Sequence, residues 1–575
     1  MKAQTKIKQN STGSAQSDAP RASDENLRIV VDSQAGNPFA AAALGEVSAQ
    51  GERAAAVSTD HYGAFSVEKF AAAGDLYETH EDAKGWLDYV ERFNPRNFWY
   101  KDAGVAPWAY YEDFDNWQDT YGMDAVRAAY HSGHGSMDGN GVFYAAMGSN
   151  WGNLGTNAVS SSMKLGNEQV RYIFWSTCFS LRVLNGHNPI RSWNNSNLGF
   201  RMLFGYETTS VDAPNYGRDF WKQWNQGKSL SQAHLDMSWY DVSKNQAPSV
   251  AACGATPDEA QNRLYNERFF EWNAVSHNYW HWRWYNAANS ALGARALHQR
   301  LPQRIVTAQL ALEPASGKHL RGILDRVPVG VVAPSEVFAN PAGIIVISEG
   351  DSRVAVDLNG TYEAQLAMPN LESRNEVRLS AAIRKAEDIV RQFGLDRNDI
   401  TFDRVLHKYD CAGTAKGSGE IGTPRITETV VQFTQMIDGV PVIGPGDGKV
   451  SVTIDNDENI TEVVDRTRTV AKLVEGFSAP PLSKISRGDG DEPSVSASSY
   501  QTDPERLLST AWQDRMKTWA ISGRMPERHA VVPGSFEVGY VIRGNSATLV
   551  AREEIEADCG GGFLKRFVVE TPIEG

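Results

Sequence analysis

Cysteine is scarce: 575 residues hold four, Cys178, Cys253, Cys411 and Cys559, at none of the short spacings that hold a metal. That density argues against the disulfide framework of small secreted domains. One bridge, Cys411 to Cys559, stays open because both residues lie in the C-terminal half. Long apolar runs are missing as well. No window approaches the roughly eighteen apolar residues of a membrane span, and the basic start Met1-Lys-Ala-Gln-Thr-Lys6 is not followed by the apolar core of an export signal. The expectation is a cytoplasmic protein without a membrane span, with secretion left open. Positive charge is in deficit, 56 Lys and Arg against 70 Asp and Glu for a net charge of −14. Nucleic acid is therefore disfavoured as a partner, because phosphate binding wants a basic face.

Large apolar side chains are also rare in residues 1–58, which predicts a flexible leader. Tryptophan then draws the domain map. Fourteen of sixteen lie from Trp86 to Trp284, and the next is Trp512; such a compositional shift marks a change of domain. Residues 59–290 alternate hydrophobic strands with helical patterns, which predicts an α/β domain with a mainly parallel sheet flanked by helices. A β-rich connecting domain is expected over 300–370, an α+β module over 371–475, a Gly, Asp and Ser linker over 476–505 and an α+β segment over 506–575. Within the module, Ser373 and Glu376 form a capping-box pattern before a helix stopped by Gly394. Asp438-Gly439 reads as a hairpin turn.

The chemistry concentrates in Asp124-Ala-Val-Arg-Ala-Ala-Tyr-His-Ser-Gly-His-Gly-Ser136. A strand-like apolar run breaks at Gly133 and Gly135, so the His134 imidazole sits on a turn just past a strand end. A second strand, Val170-Arg-Tyr-Ile-Phe-Trp175, is followed by Ser176-Thr-Cys178. Neighbouring parallel strands would bring both side chains to one carboxyl edge, where α/β proteins do chemistry, and a Cys with a His suggests a thiolate and its base. His131 is the weaker candidate base, since the flanking glycines leave His134 open to a substrate. Asp138, Glu207 and Asp212 follow strand ends and are candidates to bind a basic substrate residue. Asp113, Asp115 and Asp119 read as solvated acidic surface rather than a calcium loop. His277 and His281 read as packing, because no Glu stands between them where a metallopeptidase helix needs it.

Strand then His134-Gly135, and strand then Ser176-Thr-Cys178-Phe-Ser180, resembles the caspase, gingipain and legumain group of cysteine peptidases. Gly199-Phe-Arg-Met-Leu-Phe-Gly205 resembles the group's next core strand. Phe220-Trp221, Gly227-Lys-Ser-Leu230 and Ala233 resemble the helix after it. The likeness is closest to an uncharacterised bacterial caspase-like domain over residues 60 to 290. It implies a caspase-like α/β fold and an endopeptidase with a Cys178–His134 dyad, an oxyanion hole from the N–H groups of Gly135 and Cys178, no cofactor, and a protein or peptide substrate. Ser176-Thr-Cys178-Phe-Ser180 departs from the Gln-Ala-Cys-x-Gly of true caspases, so caspase specificity is not implied. Thr429-Val-Val-Gln-Phe-Thr-Gln-Met-Ile-Asp-Gly-Val-Pro-Val442 and Gly448-Lys-Val-Ser-Val-Thr-Ile-Asp-Asn456 are similar to PepSY and thermolysin-type propeptide modules over 375–470. That implies a C-terminal half that inhibits the peptidase or helps it fold. Two other readings stand beside this one: a catalytically silent relative that binds protein or carbohydrate through its aromatic residues, and a metal site of His131, His134 and Cys178 without an evident fourth ligand.

Overall fold

The computed structural model describes residues 28–31, 36–39, 59–286, 306–312, 316–328, 336–340, 342–417, 419–475, 503–522 and 526–573. Its spine is a mixed sheet of eighteen strands among these residues. In chain order, the strands that frame the site are β1 (Tyr62–Ser66), β2 (Phe98–Lys101), β3 (Ala128–Ser132), β4 (Tyr172–Ser176), β5 (Met202–Tyr206), β6 (Pro248–Gly254) and β7 (Tyr279–Tyr285). Side by side they run β2, β1, β3, β4, β5, all parallel. β6 and β7 then add antiparallel.

These strands are apolar on both faces, and alternation sends each face to a different core. In β4, Tyr172 and Phe174 enter a core with Trp86 and Trp221, whereas Ile173 and Trp175 enter another with Phe143 and Trp193. The first core is roofed by α1 (Thr79–Val90) and α2 (Tyr216–Asn225), which lock together where Trp221 Nε1 donates to the Trp86 carbonyl at 2.9 Å. The short α3 (Leu230–Asp236) follows, capped by Ser229, whose Oγ accepts from Gln232 N.

Within residues 59–290 four of the sheet's pairings are parallel and two antiparallel, and the eighteen-stranded sheet as a whole is mixed. Parallel order runs through β1 to β5 and returns where Arg28–Val31 pairs with Glu336–Ala339, whereas every pairing from β6 through Ile345–Glu349 is antiparallel. An apolar run buried on both faces reads the same in either direction, so the sequence does not carry that reversal. β7 pairs along its whole length with β8 (Ile400–Thr414), and the sheet continues through β9 (Arg425–Ile437), β10 (Lys449–Asp455) and β11 (Ile460–Asp465). Buried ion pairs also join the early and central parts of the chain. Lys228 Nζ meets Asp236 at 2.6 Å and Glu363 at 2.7 Å, and Arg466 meets Asp241 at 2.9 Å.

The second core is shared with a C-terminal sheet containing β12 (Glu537–Arg543), β13 (Ser546–Asp558) and β14 (Leu564–Pro572). Tyr540, Leu549 and Phe567 belong to the same apolar cluster as Trp175 and Leu203. The helix expected after Ser373 is α4 (Leu379–Gln392), but no capping box forms. Its first turn follows Arg378, which makes no side-chain cap, and Ser373 Oγ instead donates to Asp457. Gly394 ends α4 with a left-handed φ of 61° as expected. The Cys411–Cys559 bridge is absent: all four cysteines are buried and free. Arg28–Val31 pairs with Glu336–Ala339; apart from residues 28–31 and 36–39 the expected leader, like most of the linker, lies outside the described residues. No helix among the described residues is long and apolar enough to cross a membrane.

Candidate active site

The carboxyl ends of β3 and β4 are held in register by one buried carboxylate. Asp82, on the first turn of α1, accepts from Tyr130 Oη, Ser132 Oγ and Ser176 Oγ, each at 2.7 Å, and from Gly217 N at 2.9 Å. Burial pushes its carboxyl pKa up and these donors pull it back. Ser132 and Ser176 each precede a candidate reactive residue by two positions, so Asp82 fixes the two strand ends from which the site grows.

His134 is fully buried. Its Nε2–H donates to the Gly74 carbonyl at 3.0 Å, and its Nδ1 is buried without a hydrogen-bond partner. That arrangement leaves the Nδ1 lone pair available as a base. Phe70 packs on the ring at 4.6 Å. Burial, and then the positive charge of Lys565, push the imidazole pKa down to about 3. His131 lies on the strand itself, 2.7 Å from the Tyr110 hydroxyl and packed on Trp175; it belongs to the core.

Cys178 is also fully buried. Ser210 N–H donates to its Sγ at 3.2 Å, and Ser210 Oγ lies 3.4 Å from it. The next residue, Phe179, takes a left-handed φ of 54°, a conformation that bulky residues avoid unless their surroundings impose it. Gly135, next to His134, abuts Cys178 through the backbone. A Cβ on Gly135 would lie 2.5 Å from the Cys178 carbonyl oxygen and 2.9 Å from Thr177 Cβ. The imidazole and the thiol do not hydrogen-bond to each other in this covered state: the ring bonds Gly74 and the sulfur bonds Ser210. Gly135→Ala is expected to cost about 1–3 kcal/mol through overpacking and to change the reactivity of Cys178. Urea denaturation together with alkylation of Cys178 checks both effects, and unchanged values would mean that the backbones are not in contact.

The cover comes from the far end of the chain. Arg566 N–H donates to the Ser210 carbonyl at 3.1 Å, and Asp212 N–H donates to the Arg566 carbonyl at 2.7 Å, so β14 docks as an added parallel bridge at Val211. Gly74 N–H donates to the Cys559 carbonyl at 2.6 Å, and Phe563 packs 5.8 Å from His134. Lys565 is buried, with Nζ 3.2 Å from Ser210 Oγ and 3.5 Å from the Gly133 carbonyl.

The three candidate specificity carboxylates part company. Asp212 belongs to this site: it is buried, accepts from Tyr77 N–H at 3.2 Å, and has its pKa raised by burial and drawn back by Lys565. Glu207 is committed to the N–H groups of Val183 and Leu184 and to Arg182 at 3.6 Å, with burial pushing its pKa up to about 7. Asp138 accepts from Asn140 N–H and Val142 N–H within its own turn.

Asp119 is brought together with Glu112 and Glu168, their ligand oxygens within 4.8 Å of one another, while Asp113 is exposed. Burial first, then neighbouring carboxylates, raise Glu168 to about 8. His281 lies on β7 and pairs with Asp410 at 3.0 Å. One arrangement had no signal in the sequence. Ser66 Oγ lies 2.8 Å from His80 Nδ1, and His80 Nε2 lies 3.2 Å from Asp102. Trp99 Nε1 donates to that same hydroxyl, and Ser66 is as fully buried as Cys178; the trio ties β1 to β2.

No curated protein matches the chain significantly. Residues 64–286, which contain His134, Cys178, Ser210 and Asp212 but not Lys565, match the family described as a domain of unknown function (DUF6345).

Proposed function

We propose that residues 59–290 form a caspase-like cysteine peptidase domain whose reactive pair is Cys178 and His134. The observation that carries this reading is the abutment of His134-Gly135 against Thr177-Cys178 at the ends of adjacent parallel strands. On opening, His134 Nδ1 takes the thiol proton as Cys178 Sγ bonds to the substrate carbonyl carbon. The N–H groups of Gly135 and Cys178 stabilise the resulting oxyanion. The same proton passes to the leaving nitrogen as the C–N bond breaks, and water then hydrolyses the thioester with His134 as base.

The remaining thiols make a clean background for testing this. Burial raises the pKa of Cys253 and Cys559 and pushes Cys411 up to about 12, so none is a ready thiolate at neutral pH. Once the C-terminal cover opens, a thiol-directed alkylating probe is expected to label Cys178 selectively and to lose that labelling in Cys178→Ala and His134→Ala. Equal labelling of all four thiols favours a silent binding protein instead. One surface feature suits that alternative: Trp117 and Trp151, both 52% exposed, pack on each other and on Trp108, an aromatic patch suited to a sugar or protein face. Labelling blocked by zinc points to a metal site.

A further inference from the structure

Buried ammonium groups normally face carboxylates, because removing a charge from water is costly unless a counter-charge and hydrogen bonds replace the solvent. Lys565 departs from that rule. Among the described residues no carboxylate forms an ion pair with it; its Nζ rests on two neutral oxygens, Ser210 Oγ and the Gly133 carbonyl. Those oxygens belong to the site itself. Ser210 also touches the Cys178 sulfur through its N–H and hydroxyl, and Gly133 adjoins His134. Buried Asp212 stands two residues beyond Ser210, and its N–H donates to the carbonyl of Arg566, the residue next to Lys565. The backbone that delivers the side chain is bound as an extended peptide is bound when it adds to an exposed strand, through main-chain bonds on alternate residues.

We propose that the strip Ser210-Val211-Asp212 beside Cys178 is a binding groove for an extended chain bearing a lysine, and that the protein's own Lys565 fills it. The proposal deepens, and for its catalytic meaning rests on, the reading of Cys178 and His134 as a reactive pair. The main-chain edge at residues 210–212 holds the incoming strand. Ser210 Oγ, the Gly133 carbonyl and the charge of Asp212 select a primary ammonium over a neutral side chain. While Lys565 is seated, the same contacts keep the thiol and imidazole from solvent, so the C-terminal hairpin blocks the site with a segment chemically like the ligand it excludes. A lysine-containing peptide or protein segment is the class of ligand that competes with it.

The test uses the full chain, with carbamidomethylation of Cys178 by iodoacetamide read by peptide mass spectrometry. Lys565→Ala is expected to speed the reaction at Cys178 by at least about tenfold by uncovering the buried thiol, with the fold retained by circular dichroism. Butylammonium, the lysine side chain as a free ion, is expected to slow it again, and neutral 1-butanol is not. Adding Asp212→Asn is expected to abolish that protection. An unchanged rate in a folded Lys565→Ala protein, or equal protection by butylammonium and 1-butanol, overturns the proposal. Should the alanine variant fail to fold, Lys565→Gln keeps the length and removes the charge: a several-fold gain supports the groove, and no gain overturns it. The two readings fail separately. Butylammonium protection with a rate indifferent to His134→Ala keeps the groove and removes the peptidase; a His134-dependent rate without ammonium selectivity does the reverse.

Discussion

Replacing Asp82 with Ala is expected to lower the stability of the folded chain by about 3–5 kcal/mol, the range for removing one partner from a buried charged network. Four donors converge on this carboxylate: the side chains of Tyr130, Ser132 and Ser176, and the backbone of Gly217. Without it, each is left buried without an acceptor, at about 1–3 kcal/mol apiece before relaxation. Asp82→Asn keeps the shape and one acceptor oxygen, but its amide donors face hydroxyls and an N–H, so an intermediate loss is expected. The midpoint of urea unfolding followed by tryptophan fluorescence reads the effect, because Trp86 and Trp175 sit in the two cores on either side of the sheet. A loss under about 1 kcal/mol would mean that the network is solvated in the native state.

Acid is expected to destabilise the protein through its buried imidazoles. Burial pushes His131 and His134 down to about 3 and His234 down to about 4, and all three are sealed from water. Their folded pKa values lie below the unfolded value near 6.5, so the unfolded chain takes up protons first as the pH falls. Their contribution is whole above about pH 6.5 and is lost as the pH falls toward 3 or 4. At pH 5 each has given up about 2 kcal/mol, at about 1.4 kcal/mol per pH unit. Asp82 and Asp212, whose pKa values are raised, act with the opposite sign, so single replacements isolate the effect. His134→Gln and His234→Gln are each expected to shrink the loss between pH 7 and pH 5 by about 2 kcal/mol. A variant that loses as much as the parent would mean that its imidazole is hydrated when folded.

Local features of the fold were legible. The strand ends before His134 and Cys178 showed as apolar runs broken by small residues, and Asp438-Gly439 does turn with φ of 51° and 75°, the paired left-handed geometry that such a dipeptide serves. Gly394 stops α4 for the same steric reason. What failed to show was anything set by partners far away in the chain. The reversal of β6 leaves no mark in a run buried on both faces. Helix α4 starts at Leu379, beyond the reach of Ser373, which bonds Asp457 instead. Asp82 meets Ser132 and Ser176 across 50 and 94 residues, and Lys565 meets Ser210 across 355. Of the three carboxylates singled out beside the site, residue type could not separate Asp212, which faces the cover, from Glu207, which ties down a loop. Only the fold decides which strand end each one follows into the interior.

The peptidase reading of this site turns on His134 governing the sulfur of Cys178. The most direct measurement is the alkylation rate of Cys178 at neutral pH in full-length Lys565→Ala, with and without His134→Ala. Loss of the imidazole is expected to slow the reaction by at least about tenfold, because the thiol loses the base that takes its proton. Equal rates in the two folded proteins would contradict the pairing.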